Sequence, residues 1–171
     1  IFEELIGIRP SKTKINTEIS TLMQGFEKVI GRNDMMAYLV MMTIRLIELH
    51  GVLKPTGSLY LHCDQTASHY LKLILDVIFG KKNFRNEIIW HYDYGARSKT
   101  TFGSKHDTIF FYSKSDKWTF NTKDILVPFS SGMTKWRYEK GGQKGKPMPL
   151  GKVPSDVWDI KINAMSKERL G

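Results

Sequence analysis

The sequence predicts an α/β fold, a sheet with flanking helices, and three observations predict it. Asn33 to Gly51, NDMMAYLVMMTIRLIELHG, has the composition and the ends of a helix, and SLYLHC, Ser58 to Cys63, is a short apolar run between turn residues. A second amphipathic stretch, Thr66 to Gly80, follows at once. Helix, strand and helix, followed by two more strand-like runs, is the pattern of a sheet covered by helices. With 171 residues and 41% hydrophobic content, the chain can build one ordinary core, and two full domains would be cramped. It opens on Ile1 and closes on SKERLG, which reads as a piece of something longer.

Residues Ile1 to Arg32 are mixed and weakly periodic, and RPSKTKINTE reads as loop. In the first helix Asn33 or Asp34 can cap the orphan amides, and Gly51 stands where a left-handed C-cap belongs. Its apolar residues wrap most of the circumference, with Thr43, Arg45, Glu48 and His50 as the polar exceptions, so it is expected to lie sandwiched against a sheet with its methionines as core filler. The turn KPTG, Lys54 to Gly57, sets one dihedral with Pro55 and allows a positive φ at Gly57. SLYLHC then fits a strand buried on both faces of a parallel sheet. Thr66 can cap the next helix, which points Ala67, Leu71, Ile74, Leu75 and Ile78 at the core, pairs Lys72 with Asp76 outward, and ends at Gly80. NEIIWHY, Asn86 to Tyr92, and DTIFFYS, Asp107 to Ser113, are two further strands. The 13 residues Asp93 to Lys105 between them have no element of their own, and loops of that length are usually functional or disordered. Beyond Ser113 we expect irregular structure or small β pieces, with partial disorder near KGGQKGKPMP.

A net charge of +9 is unevenly spread: His91 to Lys152 holds 12 Lys and Arg against 5 Asp and Glu, leaving 14 against 12 elsewhere. That stretch also carries 11 of the 20 aromatics, a mixture suited to phosphates and bases, although a solubilising surface would share the charge. The lone Cys63 excludes an internal disulfide and a multi-cysteine metal site, and a reduced, cytoplasmic protein is the expectation. The longest apolar run, Met35 to Met42, is far shorter than the roughly 18 residues of a membrane span, so no membrane partner and no metal are expected.

In an open α/β sheet, ligands lie beyond the carboxyl ends of the strands. Asp64 stands at such an end, and either orients a ligand there or satisfies the first turn of the helix from Thr66. His62 reads as a satisfied core histidine more readily than as a base, because no acidic neighbour is visible in the sequence. His69 reads as surface, and His106, beside the basic loop, can meet a phosphate or a base. No phosphate-binding loop, dinucleotide fingerprint, zinc-spaced His and Glu pair or nucleophile elbow occurs.

Three segments nevertheless add up to a known pattern: Asn33 to Asp64, Ala67 to Trp90 (ASHYLKLILDVIFGKKNFRNEIIW) and Ser104 to Ser115 (SKHDTIFFYSKS). Together they closely resemble the amino-group DNA methyltransferases, S-adenosylmethionine-dependent enzymes of bacterial and phage modification systems, in the order that places the catalytic motif first and the cofactor motif last. Pro154 to Gly171, PSDVWDIKINAMSKERLG, resembles the segment just before that family's cofactor-binding end. The family's Asp/Asn/Ser-Pro-Pro-aromatic motif is absent, since none of the 6 prolines are adjacent, and so is its Phe-x-Gly-x-Gly loop. The chain therefore resembles a central portion: residues 1–115 a partial Rossmann-like methyltransferase core, 116–153 a basic, partly irregular target-recognition region, and 154–171 a return segment.

The resemblance implies methyl transfer from S-adenosyl-L-methionine to the exocyclic amine of a flipped adenine, or less readily cytosine, in double-stranded DNA. It places no catalytic residue in this chain and leaves Asp64 as the one candidate toward the cofactor. Arg97, Lys99, Lys105 and His106 are the candidates for phosphates, with Lys135, Trp136, Arg137 and Tyr138 for groove or base contacts. A restriction endonuclease partner and a homodimer belong to the same expectation. The chain alone is expected to transfer no methyl group. A nucleic-acid-binding remnant and an RNA methyltransferase are the alternatives.

Overall fold

The computed structural model describes residues 14–93, 98–129 and 132–160. The described chain forms two compact units, one from residues up to Thr119 together with the return from Val157, the other Phe120–Asp156.

The first unit opens with a helix that the loop reading of its first residues missed, α1, Lys14–Ile30. Ile19, Met23 and Phe26 recur at helical spacing and are buried, so the segment folds by burying one stripe despite its polar composition. Gly31 takes a φ of 74°, which a residue with a Cβ adopts only under strain, and its N–H returns to Glu27 O. Asn33 joins the two helices: its Nδ2 donates to Ile30 O at 2.9 Å, and its Oδ1 accepts from Met36 N at 2.9 Å. That second bond caps α2, Asp34–Val52, as expected.

The far end of α2 differs from expectation. Gly51 lies inside the helix and Leu53 is the C-cap, with extended dihedrals. Thr43, expected as a polar exception, is buried because its Oγ1 donates to Leu39 O at 2.7 Å. By length and composition α2 is also apolar enough to cross a membrane, but it buries Met36, Leu39, Val40 and Leu46 in the protein core. Lys114 Nζ donates to His50 O at its last turn, and the His50 ring stands edge-on to Phe79 at 4.8 Å. Burial first, and then the Lys114 charge, pulls the His50 pKa below 6.5.

A pH dependence follows. The unfolded chain takes up a proton at this imidazole near 6.5 while the folded chain resists it, so stability falls as pH drops below 6.5 and is unaffected by this group above. Replacing His50 with Phe keeps a ring against Phe79, and denaturant midpoints measured from pH 7.5 to 5 should fall less steeply in that variant than in the parent.

The turn at Pro55 and Thr56 closes with Gly57 N donating to Lys54 O at 2.8 Å. Gly57 does not take the positive φ expected of it; a Cβ there would meet Lys54 O at 3.0 Å and Leu53 Cδ2 at 3.1 Å. β1, Ser58–Cys63, follows, then α3, Ser68–Leu75, running on through a wider turn, Asp76–Gly80, where Gly80 takes a φ of 83°. The expected core residues Ala67, Leu71, Ile74, Leu75 and Ile78 are all buried. Lys72 and Asp76 pair at 2.7 Å, but not outward: they are mostly buried, Lys72 lies 4.2 Å over the Phe84 ring, and Asp76 accepts the Tyr112 hydroxyl at 2.7 Å.

β2, Phe84–His91, and β3, His106–Ser113, complete the main sheet, with the short β4, Val157–Asp159, in the order β1-β3-β2-β4. β3 is antiparallel to both β1 and β2, so the parallel sheet expected around SLYLHC is not formed there; only β2 and β4 pair in parallel. The reason is topological: β1, α3 and β2 are a crossover whose two strands run the same way, but the hairpin from β2 drops β3 into the space between them. Directly opposed residues share a face. Cys63, Phe110 and Tyr112 therefore face the helices and join their core, while Tyr60, His62, Asp107, Ile109, Phe111, Ile88 and Trp90 lie on the other face. β1 has no second neighbour among the described strands, and Tyr60 is 49% exposed, so SLYLHC is not buried on both faces.

In the second unit, Val127 and Lys152 form a small antiparallel bridge closed by two N–H···O bonds of 2.9 and 3.0 Å. Gly151 is required beside it, since a Cβ would stand 2.7 Å from Val127 O. The irregular structure expected around residues 132–139 is instead a helix, α4, Gly132–Glu139. Residues 140–146 are a run of turns and bends, with Gly141 N bonded to Trp136 O and Gln143 N to Arg137 O.

Candidate functional site

Three strand ends meet at one edge of the first unit: the carboxyl ends of β1 and β2 and the amino end of β3 between them. Asp107 is the centre of this corner. Its Oδ2 accepts from His62 Nε2 at 3.0 Å, and its Oδ1 accepts from the Tyr92 hydroxyl at 3.2 Å. A carboxylate only accepts, so His62 carries its proton on Nε2 when the ring is neutral. The imidazole packs 5.4 Å from the Trp90 ring, and Trp90 stands edge-on to Tyr92 at 5.9 Å. Trp90 is itself tied by its indole N–H to Ile160 O at 2.8 Å. Half of the His62 side chain, 52%, remains exposed.

The adjoining corner after β1 is fixed by Asp64, whose Oδ1 accepts from Thr66 N and Ala67 N, both at 3.1 Å. Thr66 is thus not the cap expected; Asp64 holds the first turn. Gln65 reaches across to β3 and donates to His106 O at 3.3 Å. The base of the hairpin loop closes with Tyr92 N bonded to Lys105 O, and Lys105 Nζ lies 3.4 Å from Asp93 O and 3.9 Å from its carboxylate. On the other face His91 Nδ1 is 3.2 Å from Asp159 on β4.

The corner carries a negative field. Cys63, buried as expected, has its thiol pushed up to about 12, by burial first and then by Asp64, Asp107 and Glu87, so it is inert as a nucleophile near neutral pH. Tyr92 is also raised, by burial and then by Asp107. The phenol of a Tyr so placed stays a donor.

The expected binding residues divide between the units. In the first, Lys99 is exposed in the loop, Lys105 and His106 sit at its root, and Asp64 lies at the neighbouring strand end; Arg97 lies outside the described residues. In the second, Lys135, Trp136, Arg137 and Tyr138 are consecutive on α4, and successive helical residues point about 100° apart, so the four do not share one face. Trp136 is 53% exposed, Tyr138 is half-buried, and Lys135 is 3.7 Å from Glu139 in a solvated pair of little energetic weight. The expectation that His62 is a core histidine without an acidic partner is corrected: its partner lies 45 residues away on an antiparallel neighbour. Asp107, Tyr92, Trp90 and Gln65 were not singled out from sequence; the signal for Asp107 and Trp90 is the antiparallel pairing of β3 with both β1 and β2, which sets Trp90 opposite Asp107.

A family model described as DNA methylase matches residues 6–170. The chain is 31% identical over 139 residues to the type II methyltransferase M.BglII of Bacillus subtilis, across 76% of the chain and 38% of that protein. It is 34% identical over 85 residues to the type II methyltransferase M.KpnI of Klebsiella pneumoniae, across 49% of the chain and 20% of that protein. Over 79 residues it is 37% identical to the type II methyltransferase M.EcaI of Enterobacter cloacae, across 46% of the chain and 18% of that protein. The chain thus spans well under half the length of each of these relatives.

Proposed function

The chain belongs to the family of amino-group DNA methyltransferases, and we propose that it is the central portion of an enzyme that methylates double-stranded DNA at the exocyclic amine of a flipped adenine, with cytosine the less favoured base. The observation that carries this reading is the match to the DNA methylase model along residues 6–170. The type II character of the relatives supports a place in restriction and modification; a cognate endonuclease, a homodimer and a cytoplasmic compartment are part of the same proposal.

S-adenosyl-L-methionine, when bound, supplies an electrophilic methyl group on a sulfonium. The residues at the end of β1 include two carboxylates, Asp64 and Asp107, a donor set that suits a positively charged sulfonium. Asp64, exposed and held by two backbone amides, would face the cofactor, most of which we assign to parts of the protein outside this chain. The chain's own residues do three things in this reading. The corner after β1 walls the pocket of the flipped base, which must leave the duplex because its amine is otherwise paired inside. Lys99 and Lys105 on the hairpin loop, with Arg97, meet phosphates and set the position of the duplex. The basic second unit, residues 120–156, carries target recognition through Trp136 and its neighbours on α4.

The test is transfer of a labelled methyl group from S-adenosylmethionine by the full-length parent protein, with duplex DNA and structured RNA in competition. Label is expected in DNA, and the 171-residue chain alone should transfer none. Label confined to RNA, or DNA binding without transfer by the full-length protein, would overturn the reading in favour of an RNA enzyme or a binding remnant.

A further inference from the structure

Resting on the methyl-transfer reading, we propose that His62 takes the proton released when the target amine is methylated, with Asp107 and Tyr92 as its positioning residues. Methyl transfer to an amine leaves one proton too many. As the nitrogen lone pair forms the N–CH3 bond and the S–CH3 bond breaks with its electron pair staying on sulfur, an N–H bond gives its proton to a base in the same transition state, so the nitrogen never carries the full positive charge.

The corner provides such a base with its orientation set. Asp107 accepts from His62 Nε2 at 3.0 Å, which leaves the Nδ1 lone pair as the free acceptor on a ring that is 52% exposed at the carboxyl end of β1. The Tyr92 hydroxyl fills the other oxygen of Asp107 at 3.2 Å and holds the carboxylate in place. Trp90 packs on the imidazole from β2. When the proton arrives, the imidazolium is already beside its counter-charge.

The charges around His62 favour a proton acceptor over a phosphate contact. Asp64 lies two residues on, just past the end of β1, and Asp107 faces His62 from β3 at 3.0 Å. From β2 the neighbours are Trp90 and, through Asp107, Tyr92. His106 is held by Gln65, Lys105, assigned above to phosphates, stands at the root of the loop 3.9 Å from the Asp93 carboxylate, and His91 pairs with Asp159 from the opposite face. A phosphate would be repelled here, whereas a developing positive charge would be stabilised.

Two measurements on the full-length protein test this. In single-turnover methylation of duplex DNA, His62→Gln should slow transfer by about 10²-fold, the lower end for a positioned base, and remove the acid limb of the pH–rate profile, while Kd for DNA stays within about twofold. Asp107→Asn should lower the rate less and displace that limb. Independently, 15N spectra of histidine-labelled protein should show the His62 proton on Nε2, with that preference lost in Asp107→Asn. If His62→Gln keeps the parental rate and profile, or if the proton resides on Nδ1, the inference falls. If the parent methylates no DNA, it is the underlying function that has failed.

Discussion

Truncating Leu71 to Ala should lower unfolding free energy by about 2–5 kcal/mol, the range for deleting a fully buried aliphatic side chain whose cavity cannot collapse. Leu71 is 0% exposed on α3, in one core with Leu39 and Leu46 of α2 and with Phe110 and Tyr112 of β3. Helices and sheet both close on it, so neither can relax into the space without opening a gap against the other. Leu71→Met, which nearly conserves volume, should cost below about 1.5 kcal/mol. Urea midpoints for the two variants measure this directly. A loss under about 1 kcal/mol for Leu71→Ala would mean that the core around α3 is loosely packed.

The second large effect is expected at Asp76. Its carboxylate accepts from Lys72 Nζ at 2.8 and 2.7 Å and from the Tyr112 hydroxyl at 2.7 Å, while Lys72 Nζ lies over the Phe84 and Tyr112 rings at 4.2 and 5.6 Å. Asp76→Ala leaves an ammonium and a buried phenol without their acceptor, a loss of roughly 3 kcal/mol. The Tyr112 pKa, held well above its usual value by burial and then by Asp76, should fall in this variant, which ultraviolet titration of tyrosine can follow. Adding Lys72→Met should recover part of the stability by removing the stranded charge. A double variant no more stable than Asp76→Ala would show that the ion pair itself contributes little and that the phenol bond dominates.

Where sequence reading succeeded, short-range pattern carried the information. Leu71, Ile74 and Ile78 recur at helical spacing and are buried; Asn33 stands before an apolar helix and caps it. Even α1 was legible in principle, since Ile19, Met23 and Phe26 keep the same spacing, but the lysines and threonines around them mask the stripe. What local pattern lacks is which strands pair. The insertion of β3 between β1 and β2 depends on contacts 45 or more residues apart, so it reversed the parallel reading of SLYLHC and brought His62 to Asp107. The candidate site was half visible for the same reason. Asp64 and Lys105 are candidates that position and charge single out, whereas Asp107 and Tyr92 become candidates only once the hairpin closes on β1.

The most direct test of the proposed function is to digest DNA treated with the full-length parent protein and S-adenosylmethionine to nucleosides, and to identify the methylated base by mass spectrometry. A methyl group on an exocyclic amine is expected, N6-methyladenine before N4-methylcytosine, at one recurring sequence. A methyl group on a ring carbon, or unmodified DNA, would contradict it.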